Sequence, residues 1–94
     1  MSTAQRTLVK LDFPAENETV FSRNYTFRIS AMQAQSVEVS VNHGSWLPCR
    51  PCAGYWWFDW SGYSSGDYEL EARAKLPDSH GETSLLRRFR VFLG

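Results

Sequence analysis

Residues 36 to 42 read SVEVSVN, with Val37, Val39 and Val41 alternating with polar partners. Successive side chains of a strand point to opposite faces, so such a stretch buries one face and wets the other. Nearly every other segment repeats this period of two, and none shows the 3.6 period of a helix. Residues 7 to 13, TLVKLDF, put Val9, Leu11 and Phe13 on one face before Pro14 ends the run. Residues 25 to 31, YTFRISA, set Tyr25, Phe27, Ile29 and Ala31 against Thr26, Arg28 and Ser30. Residues 68 to 76 alternate through Tyr68, Leu70, Ala72, Ala74 and Leu76. Residues 84 to 93 close the chain with Phe89, Val91 and Leu93 on one side, and with Leu86 and Phe92 on the other. Turn signals separate these runs at Asn42-His43-Gly44-Ser45, in SGYSSGD and at Pro77-Asp78-Ser79-His80-Gly81. Trp46 to Arg50 reads as a short edge strand that Pro48 keeps marginal, and residues 55 to 60 as a strand of their own. Seven short strands, each with one apolar face, predict an all-β fold of two antiparallel sheets packed face to face.

The most unusual stretch is GYWWFDWSGY, residues 54 to 63, with six aromatic side chains in ten positions. Alternation divides it. Asp59 is costly to bury without a partner, so its face, shared with Tyr55 and Trp57, is the wetter one. Trp56, Phe58 and Trp60 then enter the core, opposite Val37, Val39 and Phe27. Tyr55 and Trp57 stay near the surface, with Trp46 and Tyr63 as candidate neighbours. Three roles fit this outward set: a protein contact, where Trp and Tyr serve as anchors; a platform on which sugar rings stack, as in glycogen-binding sandwich modules; or rings covered by the stems of neighbours such as Arg50 and Arg73.

The 94 residues suit one domain, 1–94, with a structured core at about 7–93. A chain that is 43% hydrophobic and 15% aromatic can fill a small core, and aromatic rings bury about 150 to 250 Å² each. Ten acidic and ten basic residues leave no basic excess for nucleic acid. The run Arg87, Arg88 and Arg90 reads as a solvated strand face, not a phosphate patch. No run of about 18 apolar residues is present to span a membrane. The first residues lack the apolar stretch of a signal peptide, so the chain as written reads as cytoplasmic; as a domain cut from a longer exported chain it would be periplasmic or extracellular.

The run from VEVSVNHGSW to GDYELEARA resembles the middle of an immunoglobulin-like domain of the early-set type. It is similar to the dimerisation domain of sulfite oxidase-like enzymes and to bacterial immunoglobulin-like repeats, which share a V-x-V-S strand, a G-x-W turn, a Trp-bearing strand and G-x-Y-x-L-x-A-R-A. The resemblance extends over about residues 8 to 93, with its specific part at 37 to 74. It implies a seven-stranded antiparallel immunoglobulin-like β-sandwich, and it implies no activity, because such folds host many roles. No molybdenum domain is present, so sulfite oxidase chemistry does not carry over. Tyr68, after Gly66-Asp67, stands where the hydroxyl can turn back to bond the backbone as a tyrosine corner.

Candidate chemistry is sparse. Cys49-Arg-Pro-Cys52 is open to four readings: structural or incidental thiols, a small disulfide, half a zinc site, or a redox pair. The redox reading needs a helix N-terminus that nothing here predicts. Zinc would need His43 and the distant His80 to complete four ligands, at a spacing that matches no finger. His43 and His80 otherwise read as exposed turn residues. No nucleophile elbow or carboxylate pair is evident. Asn17-Glu-Thr19 and Asn24-Tyr-Thr26 match the glycosylation acceptor, which matters only in a secreted eukaryotic protein. The expectation is a non-catalytic interaction or structural module without cofactor. Its partner would be a protein or a domain of a parent chain, with a polysaccharide as the alternative and no nucleic acid or membrane.

Overall fold

The computed structural model describes residues 9–77, 81–84 and 86–94. The first sheet is built from β1 (Val9–Phe13), β3 (Asn24–Ala31), β7 (Tyr55–Ser61) and β6 (Arg50–Cys52), in the order β1-β3-β7-β6. The second runs β2-β10-β8-β4-β5, where β2 is Thr19–Val20, β10 Arg87–Val91, β8 Gly66–Lys75, β4 Ser36–Val41 and β5 Leu47–Pro48; β9 (Gly81–Thr83) also pairs with β8. Among the described residues, all pairings are antiparallel except that of β2 with β10.

Alternation built the core. Val9, Leu11, Phe27 and Ile29 come inward from the first sheet, and Val37, Val39, Leu70, Ala72, Phe89 and Val91 from the second. Trp60 fills the aromatic end of this core, with its ring 5.2 Å from Phe27, 5.5 Å from Phe89 and 5.0 Å from Tyr68. Trp56 and Phe58 pack against the same cluster while half-buried. Phe27 does not face Phe58 across the core. The two are cross-strand partners in one sheet, with rings stacked at 6.0 Å.

Three further departures from the alternating pattern have local causes. The β1–β3 register steps from Leu11↔Ile29 directly to Phe13↔Arg28, so Asp12 is an extra, bulged residue. A bulge shifts the later residues of its strand by one position and so reverses their facing. Phe13 is therefore outside and 45% exposed, not beside Val9 and Leu11. The expected strand at 46–50 is two strands in two sheets. The Cys49 amide still donates to Val37 O in the second sheet at 2.8 Å, and Arg50 then pairs with Trp57 in the first. Last, β2, β6 and β9 have only two or three residues each, too few for a period to show in sequence.

Candidate functional site

On the outer face of the first sheet, β1, β3, β7 and β6 carry a row of large side chains. Arg28, at the centre of β3, lies opposite Phe13 on one side and Trp57 on the other. Its guanidinium is 4.7 Å from the Phe13 ring centre and 4.2 Å from that of Tyr55, a cation held between two rings. The Arg28 Nε donates to Asp12 Oδ2 at 3.2 Å, and Ser30 Oγ donates to the same oxygen. The side chains of Arg28 and Asp12 are only 28% and 9% exposed, so the bulge that sends Phe13 outward also buries the carboxylate that orients Arg28.

Trp57 meets Tyr55 edge to face, with ring centres 5.9 Å apart at 74°, and its Nε1 donates to Cys52 O at 2.8 Å. Beside it, Arg50 Nη1 donates to Asp59 Oδ2 at 2.7 Å and Thr26 Oγ1 to Asp59 Oδ1 at 3.0 Å. The Arg50 and Thr26 bonds hold the Asp59 carboxyl below its ordinary value. The polar groups of this row thus largely satisfy one another, and the face presents half-buried ring surface beside the exposed Arg50–Asp59 pair. A slot of 420 Å³ next to Trp57, lined also by Pro48, Cys49 and Phe58, opens where the chain crosses between sheets.

The four outward aromatics singled out in the sequence do not form one group. Tyr55 and Trp57 lie in this row, but their perpendicular rings are no flat platform. Trp46 precedes β5 of the other sheet, and Arg73 covers it, with the guanidinium 4.3 Å from the ring centre. Tyr63 stacks on Trp60 at 3.7 Å and 15°, and its hydroxyl donates to Ser22 O at 2.6 Å, which makes it an extension of the core. Burial raises the Tyr63 phenol above its usual value. Phe13 and Arg28 are members of the row that alternation alone does not select. The bulge hides Phe13 in the sequence. Arg28 has the pattern of an ordinary polar strand position, and only its register between two rings marks it. Tyr68 Oη donates to Ser64 O at 2.7 Å, the backward bond of a tyrosine corner.

Cys49 and Cys52 are free thiols, and they are attached to different sheets. With β6 extended between them, three residue steps of about 3.3 Å separate their Cα atoms by roughly 10 Å, beyond the reach of a disulfide. Burial pushes the Cys49 thiol up to about 12. His43 lies between Glu69 and Glu71 on β8, with Nε2 3.0 Å from Glu69 Oε1 and Nδ1 3.6 Å from Glu71 Oε1. Among the described residues, no group of three or more His, Cys, Asp or Glu is arranged to hold a metal. His80 lies outside the described residues.

No protein-family model and no curated protein sequence matches the chain. Among solved structures, it is similar to the fibronectin(III)-like modules of CbhA from Clostridium thermocellum: 22% identity, a TM-score of 0.73, and coverage of 88% of this chain and 93% of that one. It is also similar to an engineered protein, at 25% identity and a TM-score of 0.73. That match covers 94% of this chain but 20% of the other, so the chain spans about a fifth of its length. With its two sheets and these neighbours, the chain is an immunoglobulin-like β-sandwich.

Proposed function

We propose that this chain, read as one domain over 1–94, is a non-catalytic contact module and that the outer face of its first sheet meets a protein partner or a neighbouring domain. The observation that carries the reading is the stack of Arg28 between Phe13 and Tyr55, with Trp57 alongside. Arginine, tryptophan and tyrosine are the residues that dominate binding energy at protein interfaces. Here packing, the Asp12 pair and the Trp57–Cys52 bond already restrict them, so little side-chain freedom remains to be lost on docking. The resemblance to fibronectin(III)-like modules supports a structural or interaction role in the same sense, as an analogy of fold. Within such sandwiches, the V-x-V-S strand and the G-x-Y-x-L-x-A-R-A strand further support a relation to early-set domains.

Affinity capture from a lysate of the source organism, run in parallel with the wild-type chain, Trp57→Ala, Arg28→Ala and Arg73→Ala, tests this. Capture should fall at least about tenfold for the first two and hold for the third. A captured partner that tolerates Trp57→Ala and Arg28→Ala would refute the assignment of the face.

A further inference from the structure

A concavity lies on the opposite sheet, away from the aromatic row. On the outer face of β10 and β8, Arg88 stands opposite Glu69 and Arg90 opposite Asp67. Arg90 and Asp67 close on each other, Nε to Oδ1 at 2.8 Å. Arg88 and Glu69 do not. Arg88 Nε turns to Glu16 Oε2 at 3.2 Å in the β1–β2 turn, while Glu69 Oε1 meets His43 Nε2 at 3.0 Å in the β4–β5 turn. A directly opposed acid–base pair is thereby drawn apart, and a trough of 620 Å³ remains between the two turns.

The walls of this trough are anchored to its floor. Asn17 and Asn42 both take left-handed φ angles, 63° and 52°. The Asn17 amide donates to Arg88 O at 2.7 Å, and the Asn42 amide to Glu69 O at 2.8 Å. In return Glu69 N–H donates to Asn42 Oδ1 at 2.9 Å. These bonds fix where the two turns sit, and the splayed Arg88 and Glu69 side chains leave the space between them open.

The chemistry of the lining restricts the ligand. Arg88 and Arg90 balance Asp67 and Glu69, so neither an anion nor a cation is favoured overall. Phe89 is buried and the Tyr68 hydroxyl is turned to Ser64, so no ring is offered for stacking. What remains is unused hydrogen-bonding capacity. Among the described residues the Asn17 side-chain amide and the Thr19 hydroxyl make no hydrogen bond. The Asn42 NH₂, the terminal nitrogens of Arg88 and the second oxygen of Glu69 also stay open. Donors and acceptors together line a trough whose two arginines balance its two carboxylates, which matches a ligand whose adjacent atoms both donate and accept. Vicinal hydroxyl pairs do this. We propose that the trough binds a neutral oligosaccharide by its hydroxyl edges, with Arg88 and Asn42 donating to ring-substituent oxygens and Glu69 and Asn17 accepting from them. This site is independent of the aromatic face.

Amide-resolved NMR titration of the whole chain with cellopentaose, and separately with mannopentaose, tests the proposal. Binding across so open a site should be weak, on the order of 1 mM. With at least one of the two sugars, saturable shifts should cluster at Asn17, Asn42, Glu69 and Arg88. Asn17→Gly, which keeps the left-handed turn but removes the amide, should weaken binding by about fivefold, and Glu69→Gln by about tenfold, with thermal midpoints near wild type. Trp57→Ala should bind as wild type does. Saturable shifts centred on Tyr55 and Trp57, or no saturable shift with either sugar at millimolar concentration, would overturn the proposal.

Discussion

The two outer faces of this sandwich each present arginines, and Arg28 at the centre of the first is used in the opposite way from Arg88 and Arg90 on the second. On the first sheet Arg28 is mostly covered, between two rings and against a carboxylate that is 9% exposed. On the second sheet Arg88 and Arg90 are each 67% exposed and pair with Glu16 and Asp67 in water. The first arrangement excludes solvent and fixes side chains, whereas the second is screened and contributes little to stability. A preorganised, ring-rich face suits a dry contact. An open, neutral, hydrogen-bonding face suits a wet one.

Both faces rest on one core, and that premise is the easiest to break. Trp60→Ala removes the ring that joins Phe27, Phe89, Tyr68 and Tyr63. It should lower unfolding free energy by about 3–5 kcal/mol in urea denaturation, in a single transition. Two separated transitions would show that the faces belong to separately stable units. Next in size, Arg28→Ala should cost about 2–3 kcal/mol, because it opens the stack and leaves a mostly buried Asp12 with Ser30 alone. Arg90→Ala on the other face should stay within about 0.5 kcal/mol by the same assay. Equal losses would erase the distinction between the faces.

Thiol chemistry sharpens the comparison where the chain crosses between sheets. Cys52 is exposed, whereas Cys49 is half-buried and its thiol is raised to about 12. Intact mass spectrometry with iodoacetamide near pH 8 should show one label added readily per native chain, at Cys52, and a second only on unfolding. Rapid double labelling would mean that the crossover is open.

The smallest effect is in pH. Glu16, held down first by the Arg88 backbone N–H, and Asp59, held down first by Arg50, both have lowered carboxyl values in the fold. Such groups stabilise the fold above their unfolded titration range, and the contribution disappears as pH falls through the lowered values. The thermal midpoint should therefore decline below about pH 4, and the pair Glu16→Gln with Asp59→Asn should flatten that decline slightly. An unchanged profile would remove both contacts from the account of either face.

Period two made much of this legible. It separated Trp56, Phe58 and Trp60 from Tyr55, Trp57 and Asp59 inside one dense aromatic segment, and Asp59 alone indicated which half was wet. The same rule misplaced Phe13, since one bulged residue reverses every later facing and carries no signature in VKLDF. It could not foresee that Trp46 and Trp57 belong to different sheets, because that depends on the crossing at Cys49, a tertiary event within a run too short to show a period. The splayed Arg88–Glu69 pair was beyond sequence for a similar reason. Strand pairing sets these two residues opposite each other, but the side chains of two distant turns decide that they do not touch.

The claim that the first face is the protein contact is tested most directly by hydroxyl-radical footprinting of the chain, free and bound to its captured partner, read by mass spectrometry. Protection should concentrate at Phe13, Tyr55 and Trp57. Protection confined instead to the exposed Phe21 and Phe92 pair, or to Leu47 and Trp46 on the second sheet, with Trp57 oxidised as in the free chain, would contradict it.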